Sequence, residues 1–122
     1  MKVFRFQDKD GRGPWKPGFS HKWIDPELKG NEDQLKPWPE EFPDVFFYIQ
    51  IMRVIYCGCA CSSLEQLKMW FSPSEENKLR AFGYSAVAME VDEILAQSAV
   101  QLVFRRLKPL RKSVRKFTLY PL

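Results

Sequence analysis

Cys57-Gly-Cys59-Ala-Cys61-Ser62-Ser63 gathers three thiols and two hydroxyls into seven residues, and no other stretch of this 122-residue sequence is so rich in nucleophiles and ligands. Thiolates bind zinc or attack electrophiles, so the spacing has to be asked which it allows. In an extended chain side chains alternate, which puts the three thiols on one face and leaves the face at Gly58 and Ala60 nearly bare. Structural zinc sites draw four Cys or His ligands from paired turns with two to four residues between them; here the spacing is one and the sole histidine, His21, is far upstream, so no metal is expected. A nucleophilic thiol needs a base or a positive field beside it, and nothing in the spacing brings His21 there. The cysteines therefore read as small groups filling tight places beside a helix. Neighbours two apart on one strand face are poorly placed for a disulfide, which fits a reducing cytoplasm. Arg5 is a second candidate: Val3-Phe4-Arg5-Phe6 has strand character, and a cation flanked by buried positions needs a partner, either an acid such as Glu65 or a ligand. Asp10-Gly-Arg-Gly-Pro14 is glycine-rich but lacks the Lys-Ser/Thr of a phosphate-cradling loop, and no dinucleotide fingerprint, nucleophile elbow or His-Glu-x-x-His occurs.

The elements that must position these groups follow from local signals. Ser62 or Ser63 N-caps a helix over 64–71, with Glu65 or Gln66 completing a capping box and Leu64, Leu67 and Phe71 as its buried stripe. Pro73 at N1 and the acids behind it start a second helix, which Gly83 ends near Phe82. Strands are predicted near residues 2–7, 53–60, 84–91 (Val87, Met89 and Val91 inward; Tyr84, Ala86, Ala88 and Glu90 outward), 100–105 and 113–120. Val45–Ile51 suits a buried strand, and a short helix after Pro43-Asp44 suits the same residues. Asp92–Gln97 reads as a turn or single helical turn. Asp8–Ser20 is a loop stiffened by prolines, and its aromatics Trp15, Phe19 and Trp23 fold back over a core or a pocket. One helical turn is expected within 25–35, where Pro26 suits N1. Any pocket is expected between Arg5, the Gly58–Ser63 turn and the aromatic loop Trp15–Trp23, because the bare backbone at Gly58 and Ala60 leaves room.

With 45% hydrophobic and 15% aromatic residues, the chain supports one α+β domain over 1–122, a split or curved sheet carrying two short adjacent helices. No apolar run of about 18 residues occurs, so no membrane span is predicted, and Met-Lys-Val-Phe-Arg-Phe lacks the apolar stretch of a secretory signal. The net charge of +4 hides an asymmetry: residues 94–122 hold Arg105, Arg106, Lys108, Arg111, Lys112, Arg115 and Lys116 with no acid, against 12 basic and 15 acidic residues in 1–93. This basic segment, 105–122, either tracks an acidic partner or phosphates or is a solvated edge pinned by Leu107, Leu110 and Val114. Its two aromatics, Phe117 and Tyr120, are too few for a base-stacking platform.

Three separated groups of residues carry a likeness to known proteins. Arg5-Phe6-x-Asp8-x-x-Gly11-x-Gly13-Pro14, Gly18-Phe19-Ser20-x-x-Trp23 and Cys57-Gly-Cys59 leading to Ser63-Leu-Glu-Gln-Leu67 and Trp70-Phe71 resemble small proteins encoded by phages and prophages, over residues 4–104. The order of Arg5, Ser63 and the strand opening at Gln101 resembles, more distantly, the Arg-Ser-Glu signature of the ADP-ribosyltransferase fold. That likeness implies NAD as cofactor, with Arg5, Ser63 and Gln101 in the catalytic positions and Arg5, Trp15, Phe19, Ser20, Gly58 and Ser62 around the cofactor. Gln101 stands where the family has its glutamate. It cannot set a negative charge against an oxocarbenium-like transition state, a loss worth about 10²–10³ in rate. Either Glu90 or Glu93 supplies the acid, or the domain binds without catalysing. The two expectations for a phage protein in the host cytoplasm are thus ADP-ribose transfer to a host target, or host-takeover or anti-defence inhibition by binding. In the second, the seven basic residues of 105–116 meet a host protein or a nucleic-acid complex.

Overall fold

The computed structural model describes residues 1–25 and 35–122. The helical turn expected within 25–35 falls almost wholly outside the described residues. Two three-stranded antiparallel sheets carry the fold. The first has the order β1-β3-β6, with β1 Lys2–Gln7, β3 Ser85–Glu90 and β6 Val114–Phe117; the second has the order β2-β5-β4, with β2 Cys57–Ala60, β5 Leu102–Arg105 and β4 Glu93–Gln97. Arg5 stands opposite Val87 in the first sheet, and Gly58 opposite Phe104 in the second. The sheets meet at one residue pair, where Phe4 N–H donates to Cys61 O at 2.9 Å and Cys61 N–H returns the bond to Phe4 O at 2.8 Å. The expected α+β fold on a split sheet is what forms.

Helices α3 (Leu64–Trp70) and α4 (Pro73–Ala81) are set by their caps. The Ser63 hydroxyl accepts the Gln66 N–H at 3.2 Å, and Gln66 reaches back to accept from the Ser62 N–H at 2.9 Å, so the reciprocal cap spans both serines. Ser72 and Glu75 close the same kind of box on α4, with Pro73 at N1, and Gly83, at φ +89°, takes the left-handed turn beyond it. Two cores result. Phe6, Trp23, Leu67, Trp70, Phe71 and Leu79 fill the space between the helices, the aromatic loop and the first sheet, while Val3, Val87, Met89, Leu102 and Phe104 fill the space between the sheets. The loop folds back as a lid on the first core: Trp23 is fully buried, its indole N–H donates to Pro14 O at 3.2 Å, and Trp15 packs on Trp23 and Trp70. Two buried carboxylates pin chain segments to α4. Glu75 accepts from the backbone N–H of Asp25, and Glu76 accepts from those of Leu119 and Tyr120.

One local alternative is decided and three local expectations change. Val45–Ile51 forms a helix, α2 (Pro43–Met52), because Pro43 and Asp44 occupy its first turn and Arg53 closes it in the left-handed conformation; only Ile49 is buried, so it is also not the interior element its composition suggests. It packs beside a short helix, α1 (Trp38–Glu41), through Trp38 and Phe46. Asp92–Gln97 contributes β4, which pairs with β5 through a register shift at Ile94/Ala96. Strand β2 starts only at Cys57, after a turn at 53–56. Ala86 and Ala88, expected to face outward, are buried, because core packs on both faces of β3: Ala86 belongs to the cluster of Phe6 and Trp23, and Val87 and Met89 to that of Leu102 and Phe104.

Candidate functional site

Arg5 lies across the bare face of β2. An added Cβ at Gly58 would lie 2.6 Å from its Nη1, and one at Gly13 would lie 2.9 Å from its Nη2, so the guanidinium sits in a slot between two glycines whose value is room. The Phe104 ring lies 5.6 Å from Cζ, within cation–π distance. Only 8% of the residue is exposed, and Nε and Nη1 have no hydrogen-bond partner. The ion pair with Glu65 is absent: Glu65 is exposed, and no acid bonds to Arg5 among the described residues. Burial pulls the Arg5 pKa down, opposed by the proximity of Cys59, Cys57 and Asp8. Burial likewise pushes the Cys57 and Cys59 thiols up, with Arg5 opposing, and Cys61 up to about 12, so at neutral pH they are thiols and give the guanidinium no counter-charge.

A cavity of about 40 Å³ adjoins the slot, lined by Arg5, Gly13, Trp15, Cys59, Cys61, Trp70, Phe71 and Gln101 among others. Arg5, the β2 end and the aromatic loop thus meet at a cavity. Gln101 joins them from the segment before β5. Its amide nitrogen donates at 2.8 Å to both Lys36 O and Glu41 Oε1, and Glu41 Oε1 also accepts from Ser98 Oγ. Glu41 is the acid nearest to this constellation through hydrogen bonds, and nothing in the Pro-rich sequence around it marks it. Glu90 and Glu93 lie elsewhere, the first on the Met1 ammonium at 2.8 Å and the second on Arg105 Nε at 3.1 Å.

The other residues named from the sequence do not line the cavity. Ser62 and Ser63 are engaged in the α3 cap. Ser20 accepts from the Lys16 N–H and donates to Lys16 O, closing the loop on itself, and Phe19 stacks on Tyr84 at 5.5 Å. Gly58 meets the Arg5 guanidinium. One water needs roughly 10–15 Å³, so the enclosed part of the cavity takes a few water-sized groups, and the serine hydroxyls are engaged in the helix cap.

A second surface lies on α2. Phe47, Tyr48, Ile51 and Met52 are exposed there, and Ile55 (79%) and Leu107 (70%) extend the patch. A groove of about 510 Å³ runs between Tyr48, Met52, Ile55, Arg105 and Leu107. The basic segment divides. Arg105 is paired with Glu93, and Arg106 is buried, donating to the carbonyls of Glu90, Pro109, Lys112 and Ser113 at 2.7–3.2 Å; it is the peg around which the 107–113 loop is wound and offers nothing to a partner. Lys108, Arg111, Lys112, Arg115 and Lys116 are exposed and form no ion pair among the described residues. They sit on that loop and on β6, the edge strand, where charge also discourages edge-to-edge pairing.

Fold and surfaces together describe a small α+β protein with a buried cation and a mixed apolar and basic face. The family model described as "Bacteriophage T4 Y00F protein" matches residues 1–118, and the chain belongs to that phage protein family. No curated protein and no solved structure matches the chain, and nothing in these comparisons points to an ADP-ribosyltransferase. Among the described residues no helix is long and apolar enough to cross a membrane, and no group of His, Cys, Asp or Glu is placed to hold a metal ion.

Proposed function

We propose that the protein is a non-catalytic phage protein that acts in host takeover or anti-defence by occupying a host protein through the α2 face and the adjoining basic loop. The observation that carries the reading is the exposure of Phe47, Tyr48, Ile51 and Met52 along α2, with Ile55 and Leu107 on the same groove, and of Lys108, Arg111 and Lys112 on the loop that leads from Leu107, none of them in an ion pair among the described residues. Large exposed apolar patches rimmed by polar groups mark interaction sites, and interfaces are rich in aromatic, Met and Arg side chains. Positive charge at the rim selects an acidic partner and speeds its approach. A nucleic-acid backbone would use the cations but has no complement for Phe47, Ile51 and Ile55, so a protein is the better match. Retention of a host protein on the immobilised chain, lost both in Ile51→Glu and in a Lys108→Glu/Lys112→Glu/Arg115→Glu variant, is the expected result. Retardation of DNA at about 50 mM salt that vanishes near 200 mM, with host-protein retention unaffected by Ile51→Glu, would replace the protein partner by phosphates.

A second reading, ADP-ribose transfer from NAD, draws support from Arg5 and Gln101 meeting at one cavity with Glu41 behind them. The cavity volume and the capped serines weigh against it. Incubation with labelled NAD and host lysate is expected to label no host protein; labelling that Arg5→Ala abolishes would reverse the order of the two readings.

A further inference from the structure

We propose that the cavity at Arg5 is a binding site for a short-chain monocarboxylate of acetate or propionate size. Buried guanidinium groups are ordinarily paired or fully hydrogen-bonded, because an uncompensated charge away from water is costly. Arg5 is more than nine-tenths buried, yet its Nε and Nη1 donate to nothing, and the thiols around it are held uncharged by burial. Among the described residues no carboxylate forms a hydrogen bond or ion pair with the guanidinium, on which Asp8 acts only from a distance, and the space beside it is a cavity instead of a packed wall.

The shape and chemistry of that space select the ligand. The guanidinium is held in a slot between Gly58 and Gly13 that closes off Nε and Nη1, so Nη2, beside the cavity-lining Gly13, is the donor a ligand can reach; a carboxylate oxygen accepts from it in a charge-assisted bond. Trp15, Trp70, Phe71 and Leu67 make the remaining wall apolar, which suits one or two alkyl carbons. A phosphate or sulfate needs donors on several sides, but among the described residues Arg5 is the only cation lining the cavity, and the amide nitrogen of Gln101 is already shared between Lys36 O and Glu41. About 40 Å³ leaves room beside the carboxylate for one or two alkyl carbons. This site is separate from the α2 surface, so its test does not depend on any host partner.

Thermal unfolding of the full chain at pH 7, titrated with sodium propionate and sodium acetate, reads the inference directly. The Tm should rise saturably with either salt, as it does for any ligand bound only by the folded state. It should not rise with propionamide, which has the same shape and no charge, nor with sodium chloride at equal ionic strength, and pivalate should be too bulky. Arg5→Met should weaken propionate binding by about tenfold or more, and Arg5→Lys should not restore it because the shorter ammonium does not reach the place of Nη2. If Arg5→Met fails to fold, Gly13→Ala, whose new methyl would crowd Nη2, should weaken propionate binding instead. A propionate response matched by propionamide or chloride, no saturable response in the native chain, or binding undiminished in every foldable variant would overturn the proposal.

Discussion

Arg5 and Arg106 are both buried, to 8% and 4% exposure, and they show opposite ways of placing a guanidinium out of water. Arg106 spends its donors on four backbone carbonyls within reach of its own loop, so its charge organises the 107–113 segment. Arg5 lies in a slot made for it by two glycines and leaves two nitrogens without acceptors beside a cavity. Burial alone therefore does not say whether a charged side chain is structural. The number of acceptors does.

The largest effect expected is at the satisfied arginine. Arg106→Met should cost about 3–5 kcal/mol in urea unfolding, because it orphans several carbonyls and unpins a loop. Gly58→Ala should cost about 1–3 kcal/mol, since its methyl would stand 2.6 Å from Nη1, and the cost should largely disappear in the Arg5→Met/Gly58→Ala double variant, a coupling that a double-mutant cycle measures. The thiols sharpen the same contrast. Cys61 has its folded pKa raised from 9.0 to about 12, so the folded state holds this proton more tightly than the unfolded chain does. Stability from this group is present in full below pH 9 and is lost as pH rises from there towards 12, by about 1–2 kcal/mol at pH 10, and Cys61→Ala should flatten that part of the profile. Arg5→Met alone should change stability by less than about 1 kcal/mol or raise it, because it removes an unpaired buried charge. A loss as large as that of Arg106→Met would erase the distinction between the two residues. The smallest effect belongs to Lys112→Glu and Lys116→Glu, expected within about 0.5 kcal/mol of the native chain because both side chains are exposed and unpaired.

What could be read from the sequence was whatever local signals determine. The α3 and α4 caps rest on serines, Pro73 and Gly83 within a few residues of one another, and both helices form where those residues place them. The bare face at Gly58 announced that something large lies against it; that it is Arg5, more than 50 residues away in the chain, follows from the Phe4–Cys61 bridge. Strand β4 was illegible because Glu93–Gln97 has no clean alternation and owes its extended form to β5. Val45–Ile51 has a composition that suits either helix or strand, and its exposure runs against its hydrophobicity. In the run Arg105 to Lys116 the residues look equivalent; only the path of the 107–113 loop turns Arg106 inward and leaves its neighbours in water. Glu41 was hidden for the same reason, since its place beside Gln101 is made by packing across 60 residues.

Gly58 and Gly13 have ordinary backbone angles, so their lack of a side chain answers to a neighbour and not to the peptide chain. This ties the inheritance of three positions together. A related protein that keeps an arginine at position 5 is held to glycine at 58 and is short of room at 13, whereas one that has replaced the arginine by a shorter residue is free to carry alanine or serine at both. Across the family these columns should change in concert, and a lineage passing from one state to the other should lose the arginine before it gains the methyl group.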